Sequence, residues 1–369
     1  MAPDMGLAPQ PQPQPSHPGQ RGLERVRARA PWAFRWEAGL ALVVVVIGIA
    51  GTAASPNFLT SSNLFNLGLS NGEIAIMALP MTLIVISGEI DLSVSSTLGM
   101  SSCLLGFLWA RGWPMIAIFV VIAIVGLAAG ALNGLLVTRV GLPSLAVTIG
   151  TLTLYAGIAE ILLGPNTVSN FPTAYTNLGV NAVPFTGSAV TYSTAIFAVL
   201  AVIFGVVLHA TPVGRSIFAM GASPEAALFA GIRVKRIKTA LFIVSGVICS
   251  FAGVLYTFRL STAVQNNGVG LELDVVAIVL VGGVSIFGGQ GSVPGVVLGV
   301  LAFAGIQNAL LLTDFNQEAS GVVAGGLLLL SVFGRNAASY ARRLREWAPT
   351  RRRRAEGAAL DGAEAGSQP

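Results

Sequence analysis

Few side chains in this chain could do chemistry, and the most conspicuous are carboxylates set against apolar runs. Glu89-Ile90-Asp91 and Glu272-Leu273-Asp274 each place two acids, separated by one residue, just before a hydrophobic stretch. Acids in such surroundings are costly and mark function by default. A pair of this kind could accept two hydroxyls of a sugar, or carry protons. An aspartate directly before an apolar run also caps a helix and meets its dipole, and that reading is preferred for Asp91 and Asp274. Asn133 and Asn308 fall within apolar runs, where an amide bonds a neighbouring helix; that role is preferred over direct contact with a ligand.

A different kind of chemistry is written in GRSIFAMGASPEAALFAGIRVKRIK, residues 214–238. Ser223 suits a helix cap, Pro224 the first helical position and Glu225 the positive end of the helix dipole. Ala226, Ala227 and Gly231 then give that helix a face of little bulk. A bare-faced helix in a cationic loop between apolar runs is suited to being gripped by another protein.

Other chemistries are missing. The only lysines are Lys235 and Lys238, preceded by Val234 and Ile237, so no phosphate-cradling Gly-Lys-Ser/Thr loop exists and any nucleotide hydrolysis belongs to a partner chain. His17 lies in a tail and His209 ends an apolar run, while Cys103 and Cys249 lie inside such runs. These residues offer no metal cluster, no disulfide framework and no catalytic constellation, and no cofactor is expected. Phe287-Gly288-Gly289-Gln290 reads as a glycine-rich break.

The elements that must position these residues are membrane helices. Only 10% of the 369 residues are charged and mean hydropathy is +0.76, whereas soluble domains carry about 25% charge. Apolar windows near the roughly 20 residues that cross a bilayer recur at 36–54, 68–87, 92–109, 114–138, 143–163, 191–210, 238–258, 275–287, 292–312 and 319–333. The expectation is an all-α polytopic membrane protein of about ten spans, the third and eighth being poor ones. Threaded alternately, all 21 lysines and arginines except Arg111 and Arg259 fall on one face. By the positive-inside rule that face is the cytoplasm, so both ends of the chain are expected there. The pI near 9.7 then reflects topology and contact with anionic membrane lipid rather than nucleic acid. The expected organisation is a Pro/Gln- and Arg-rich disordered tail over 1–30, a transmembrane domain over 31–335 containing the loop 211–238, and a basic tail over 336–369. Residues 164–190 form the longest external loop. Its Phe171, Tyr175 and Phe185 suit either docking of a delivery protein or a short helix that plugs the bundle.

A weak internal repeat relates spans two to five to spans seven to ten. Glu89-Ile90-Asp91 matches Glu272-Leu273-Asp274, and Leu132-Asn133-Gly134 matches Gln307-Asn308-Ala309 further on. An offset of five spans turns the second copy upside down, an inverted-topology repeat. The third span is rich in hydroxyls, among them Ser93 and Ser96, and Gly282-Gly283 interrupts the eighth. Defective spans in matching positions point to a translocation pathway. On this reading Glu89, Asp91, Ser93, Ser96, Asn133, Glu272, Asp274, Gly282, Gly283 and Asn308 are its candidate residues.

From Asn63 to Phe333 the chain resembles the permease subunits of bacterial ABC importers for monosaccharides of the ribose, xylose, arabinose and galactose group. The resemblance is carried by GEIDLSVSS (88–96), GLPSLAVTIGTLTLYAGIA (141–159), TPVGRSIFAMGASPEAALFAGI (211–232), GLELDVVAIVLVGGVSIFGGQGSVPG (270–295) and LGVLAFAGIQNALLL (298–312). It implies a plasma-membrane channel of two permease copies, as a homodimer or with a paralogue, served by cytoplasmic ABC ATPases. A sugar-binding protein outside the membrane would deliver the cargo. It also implies that Glu225, Ala226, Ala227 and Gly231 belong to the helix that couples to the ATPase. Where the family often has glycine, Glu89 adds a carboxylate. Competing readings are an ion-coupled secondary transporter, or an ABC permease for branched-chain amino acids, nucleosides or a sugar-like signalling molecule.

Overall fold

The computed structural model describes residues 30–184, 186, 190–312 and, singly, 322, 325, 326 and 329. The expected tenth span, apart from those four positions, and both tails lie outside them. Twelve α-helices follow one another among the described residues. They are α1 (Ala30–Ala54), α2 (Ser61–Ile86), α3 (Val94–Trp109), α4 (Met115–Leu135), α5 (Ser144–Leu163), α6 (Thr173–Val180), α7 (Tyr192–Ala210), α8 (Pro212–Ala222), α9 (Pro224–Phe229), α10 (Val234–Leu260), α11 (Leu271–Val281) and α12 (Val293–Leu312). A π-helical turn, Leu136–Val140, extends α4 and stops at Gly141, whose φ of 85° reverses the chain cheaply.

Among the described residues seven helices are long and apolar enough to cross a membrane: α1, α2, α4 with its π turn, α5, α7, α10 and α12. The chain is therefore an all-helical polytopic membrane protein. The expected third and eighth spans are not full spans. α3 has 16 residues and α11 has 11, or about 24 Å and about 17 Å at 1.5 Å per residue. Neither length reaches across ~30 Å of hydrocarbon.

Two helices form the axis of the bundle. α2 is buried without a break from Asn71 to Ile86, and α10 packs most extensively against α4, then α3 and α2. The α4–α10 crossing is close because glycines form it. A Cβ on Gly126 would meet the carbonyl oxygen of Gly246 at 2.7 Å, and small residues at such crossings let backbones approach. The packing is reciprocal. α10 packs on α3 and α4, while α2 packs on α11 and α12. In contrast α1 exposes Leu42, Val45, Val46 and Ile49, as a helix facing lipid should.

The two ends differ. At one end α8 and α9 lie across the bundle, each started by a capping hydroxyl. Thr211 Oγ1 accepts from Gly214 N, and Ser223 Oγ accepts from Ala226 N at 3.3 Å ahead of Pro224. At the opposite end α6 packs against α10 through an aromatic cluster. Tyr175 stacks on Phe258 at 5.8 Å, while Phe119 and Phe171 meet Phe258 edge-on at 6.2 Å. The 164–190 segment thus packs Phe171 and Tyr175 against the bundle; Phe185 lies outside the described residues.

Candidate translocation site and docking segment

After α2 the chain turns at Gly88, φ 85°, and runs back into the bundle as an extended segment before α3 begins. Each residue of that segment is tied to a neighbouring helix, α10 or α5. Glu89 pairs with Lys238 of α10 at 2.5 Å. Ile90 N donates to Ser144 Oγ of α5, and Thr148 Oγ1 donates to Ile90 O. Asp91 is 3% exposed; its Oδ1 accepts from Ser93 N at 3.1 Å and Ser93 Oγ at 2.6 Å, and its Oδ2 from Ser245 Oγ of α10 at 3.0 Å. Asn133 Nδ2 of α4 then donates to Ser93 Oγ at 2.8 Å. Ser93, not Asp91, holds the cap position of α3; Asp91 stands two residues earlier, accepts from Ser93 N and also binds α10.

A second re-entrant segment follows α10. Residues 261–270 descend along α3: Ala263 bridges Val168, Cys103 Sγ donates to Val264 O, and Asn267 Nδ2 donates to Ser102 Oγ at 2.8 Å. Gly268, φ 83°, lies so close that a Cβ would meet Ser95 O at 3.0 Å. Gly270, φ 89°, then starts α11. At that point the two short helices touch. Ser95 Oγ in the first turn of α3 donates to Glu272 Oε2 in the first turn of α11 at 2.6 Å.

This contact lies inside the bundle, ~21 Å from the far end of α3 and ~14 Å from the far end of α11. Two helix N-termini, each with partial positive charge, face one another there, and Glu272 sits at both. Around it Glu272 and Asp274 are half-buried, while Leu273 is 55% and Val269 74% exposed. Neither carboxylate is in an ion pair among the described residues. Half-buried acids at this depth cannot be left to hydrocarbon; they require water or protein in front of them.

The sequence-based candidates separate accordingly. Asp91, Ser93 and Asn133 belong to one hydrogen-bonded set, to which Ser96 Oγ adds a bond to Ser93 O at 3.0 Å, while Glu272 is joined separately to Ser95. Glu89 is committed to Lys238. Asp274 lies inside the first turn of α11 with Gly270 at the cap position, so it is not the cap. Gly282 packs on Val296 of α12, and Gly283 lies under the indole of Trp36 on α1, so both glycines serve packing. Asn308 is buried on α12, and its Nδ2 has no hydrogen-bond partner among the described residues. Ser95, Ser245 and residues 265–268 were not expected. The available signal was the uncharged polar run Gln265-Asn266-Asn267-Gly268 before a run too short to be a span.

The docking segment also differs from its expected form. Ala226 and Gly231 are exposed, but Ala227 is 3% exposed and turned into the bundle's own core, so the outward face does not include it. That face is not bare either. It carries Glu225, Leu228 at 56% and Phe229 at 93% exposure. Behind it four glycines bring three segments into backbone contact. Gly289 N donates to Ile86 O at 2.8 Å. A Cβ on Gly221 of α8 would strike both those atoms, and one on Gly288 would meet Gly221 O and Gly88 Cα at 2.9 Å. The α8–α9 segment thus abuts both the α2–α3 break and the α11–α12 break.

Half-helices that meet inside a helical bundle, with acids unsuited to lipid, define a transport permease. The chain belongs to the family described as the permease component of the branched-chain amino acid transport system, whose model matches residues 63–332. It is similar to the autoinducer 2 import system permease protein LsrD of Escherichia coli K12 and of Shigella flexneri, each 31% identical over 323 residues that cover 85% of this chain and 96% of the relative. The corresponding protein of Escherichia coli O157:H7 is 30% identical over the same length. No solved structure matches the chain. The protein is accordingly a multi-pass inner-membrane permease subunit of an ABC importer, a transport component rather than a catalytic enzyme.

Proposed function

We propose that this permease imports a sugar or sugar-like molecule, passing it by the meeting point of α3 and α11. The observation that carries the reading is the Ser95–Glu272 contact with the half-buried Asp274 beside it. Carboxylates and hydroxyls together accept and donate to a polyol. The similar permeases are named for an autoinducer 2 import system. Cargo would arrive from a binding protein outside the membrane. α8 and α9, with Phe229 and Ala226 outermost, would dock on a cytoplasmic ABC ATPase. A second permease copy, identical or paralogous, would close the site against lipid.

Uptake by proteoliposomes containing the permease, its ATPase and its binding protein tests this. Ribose-type sugars or autoinducer 2 should enter only with ATP, and Glu272→Gln should lower uptake roughly tenfold or more, the loss of one charge-assisted hydrogen bond of about 1.5–3 kcal/mol. Uptake driven by an ion gradient without ATP would return the secondary-transporter reading.

For topology we infer ten crossings in an inverted repeat with both ends in the cytoplasm, α3 and α11 completing theirs together with the non-helical segments that precede them. The reciprocal packing of α2 and α10 supports it. Asn177 on α6 and Ser223 at the start of α9 are both exposed, while Cys103 and Cys249 are buried. Cysteines placed at those two positions should therefore label from opposite sides of the membrane. Labelling of both from outside intact cells would end the ten-span reading.

A further inference from the structure

A cleft of about 810 Å³ lies between α7 and α10, and neither half of the transport mechanism uses it. Its wall is apolar, with Phe204 and Val207 from α7 and Leu241 and Val244 from α10. Its mouth, at the α8–α9 end, is formed by Arg233 and Arg236. From Arg233 to Val244 the wall rises ~16 Å, which is the hydrocarbon depth of about one leaflet. Ile203 is 50% exposed and Val244 41%, so the cleft opens sideways towards the acyl chains.

The charge at the mouth is uncompensated. Arg233, Lys235, Arg236 and Lys238 crowd the start of α10, where the helix dipole is itself positive, and the first turn holds no acid. Lys238 has Glu89. Arg233 and Arg236 are exposed, and neither is in an ion pair among the described residues. Three cations without an ion pair among the described residues, held against a dipole, two of them over an apolar slot of leaflet height, call for an anion carrying a hydrocarbon chain.

We propose that the α7–α10 cleft binds one anionic phospholipid, with an acyl chain along Leu241 and Val244 and the phosphate on Arg233 and Arg236. That the lipid comes from the cytoplasmic leaflet rests on the topology inferred above; the binding itself does not. The lipid would also touch Ala230 and Gly231, which line the cleft directly after α9.

The test is native mass spectrometry of the full chain in micelles with equal amounts of phosphatidylglycerol and phosphatidylcholine. One phosphatidylglycerol should be retained with a preference of about thirtyfold, since each arginine beside an anionic headgroup gives about fivefold. Arg233→Gln/Arg236→Gln should erase that preference. Ala240→Trp, which fills the cleft and keeps both arginines, should lower retention of both lipids. Arg215→Gln, in the same basic loop but outside the cleft, should change neither. Equal loss in Arg215→Gln would mean diffuse attraction and overturn the site, as would undiminished preference in the double arginine variant. Displacement of the lipid by inorganic phosphate at equal concentration would reassign the arginines to a soluble anion. Disulfide cross-linking of two chains through cysteine at Val244 would give the cleft to a second copy instead.

Discussion

Gly221→Val is expected to leave the ATPase bound and the bundle assembled while transport falls by about 5–150-fold. The side chain would have to displace Ile86 O and Gly289 N, which are backbone atoms that cannot rotate away. Overpacking of this kind costs about 1–3 kcal/mol, and that is the size of a typical coupling energy between sites. The cost falls on the contact through which α8 meets the break after α2 and the break after α11. ATP hydrolysis should then proceed without responding to the loaded binding protein. Phe229→Asp should behave differently. Phe229 is 93% exposed and makes no core of its own chain, so a charge there should lose the ATPase itself while thermal stability holds. Co-purification and ATPase assays separate the two variants. Wild-type uptake by Gly221→Val would show that the backbone contact transmits nothing.

The largest stability effect is expected at Glu73. This acid on α2 is fully buried, and its Oε2 accepts from Arg259 Nε of α10 at 3.1 Å while Ser193 Oγ of α7 donates to Oε1 at 3.0 Å. Removing one member of a buried pair leaves the other charge unanswered, at a cost of about 3–5 kcal/mol. Glu73→Leu alone should therefore unfold at markedly lower denaturant or temperature in micelles. Glu73→Leu/Arg259→Met should recover most of the loss, because an apolar pair of similar volume is often neutral. A double variant as unstable as the single one would mean that the pair's polar contacts, not its charge balance, hold α2 to α10.

The contrast between these two sites and the α9 cap explains what the sequence could disclose. Ser223-Pro224-Glu225 was legible because a cap is decided by neighbours within one turn. The two defective spans were legible because length is a local property. Glu73 with Arg259 and Ser95 with Glu272 were not, since they join residues 186 and 177 positions apart and no periodicity announces them. Ala227 misled for a related reason. A small residue on a short helix fits a tight outer contact and a tight inner one equally well, and only the packing of the loop onto its own core decides between them.

The half-length of α3 and α11 also sets an order for biosynthesis. Neither helix is long enough to partition into a bilayer by itself, and the polar first turn of α3 needs acceptors and donors from chain made much later. Ser245, Asn267 and Glu272 all lie beyond the point at which α3 leaves the ribosome. Until the back half is made, Asp91 keeps Ser93 but lacks Ser245, and Ser95 lacks Glu272. Truncation anywhere before Glu272 would strand a polar gap in the membrane, which is the kind of lesion that membrane quality-control proteases remove.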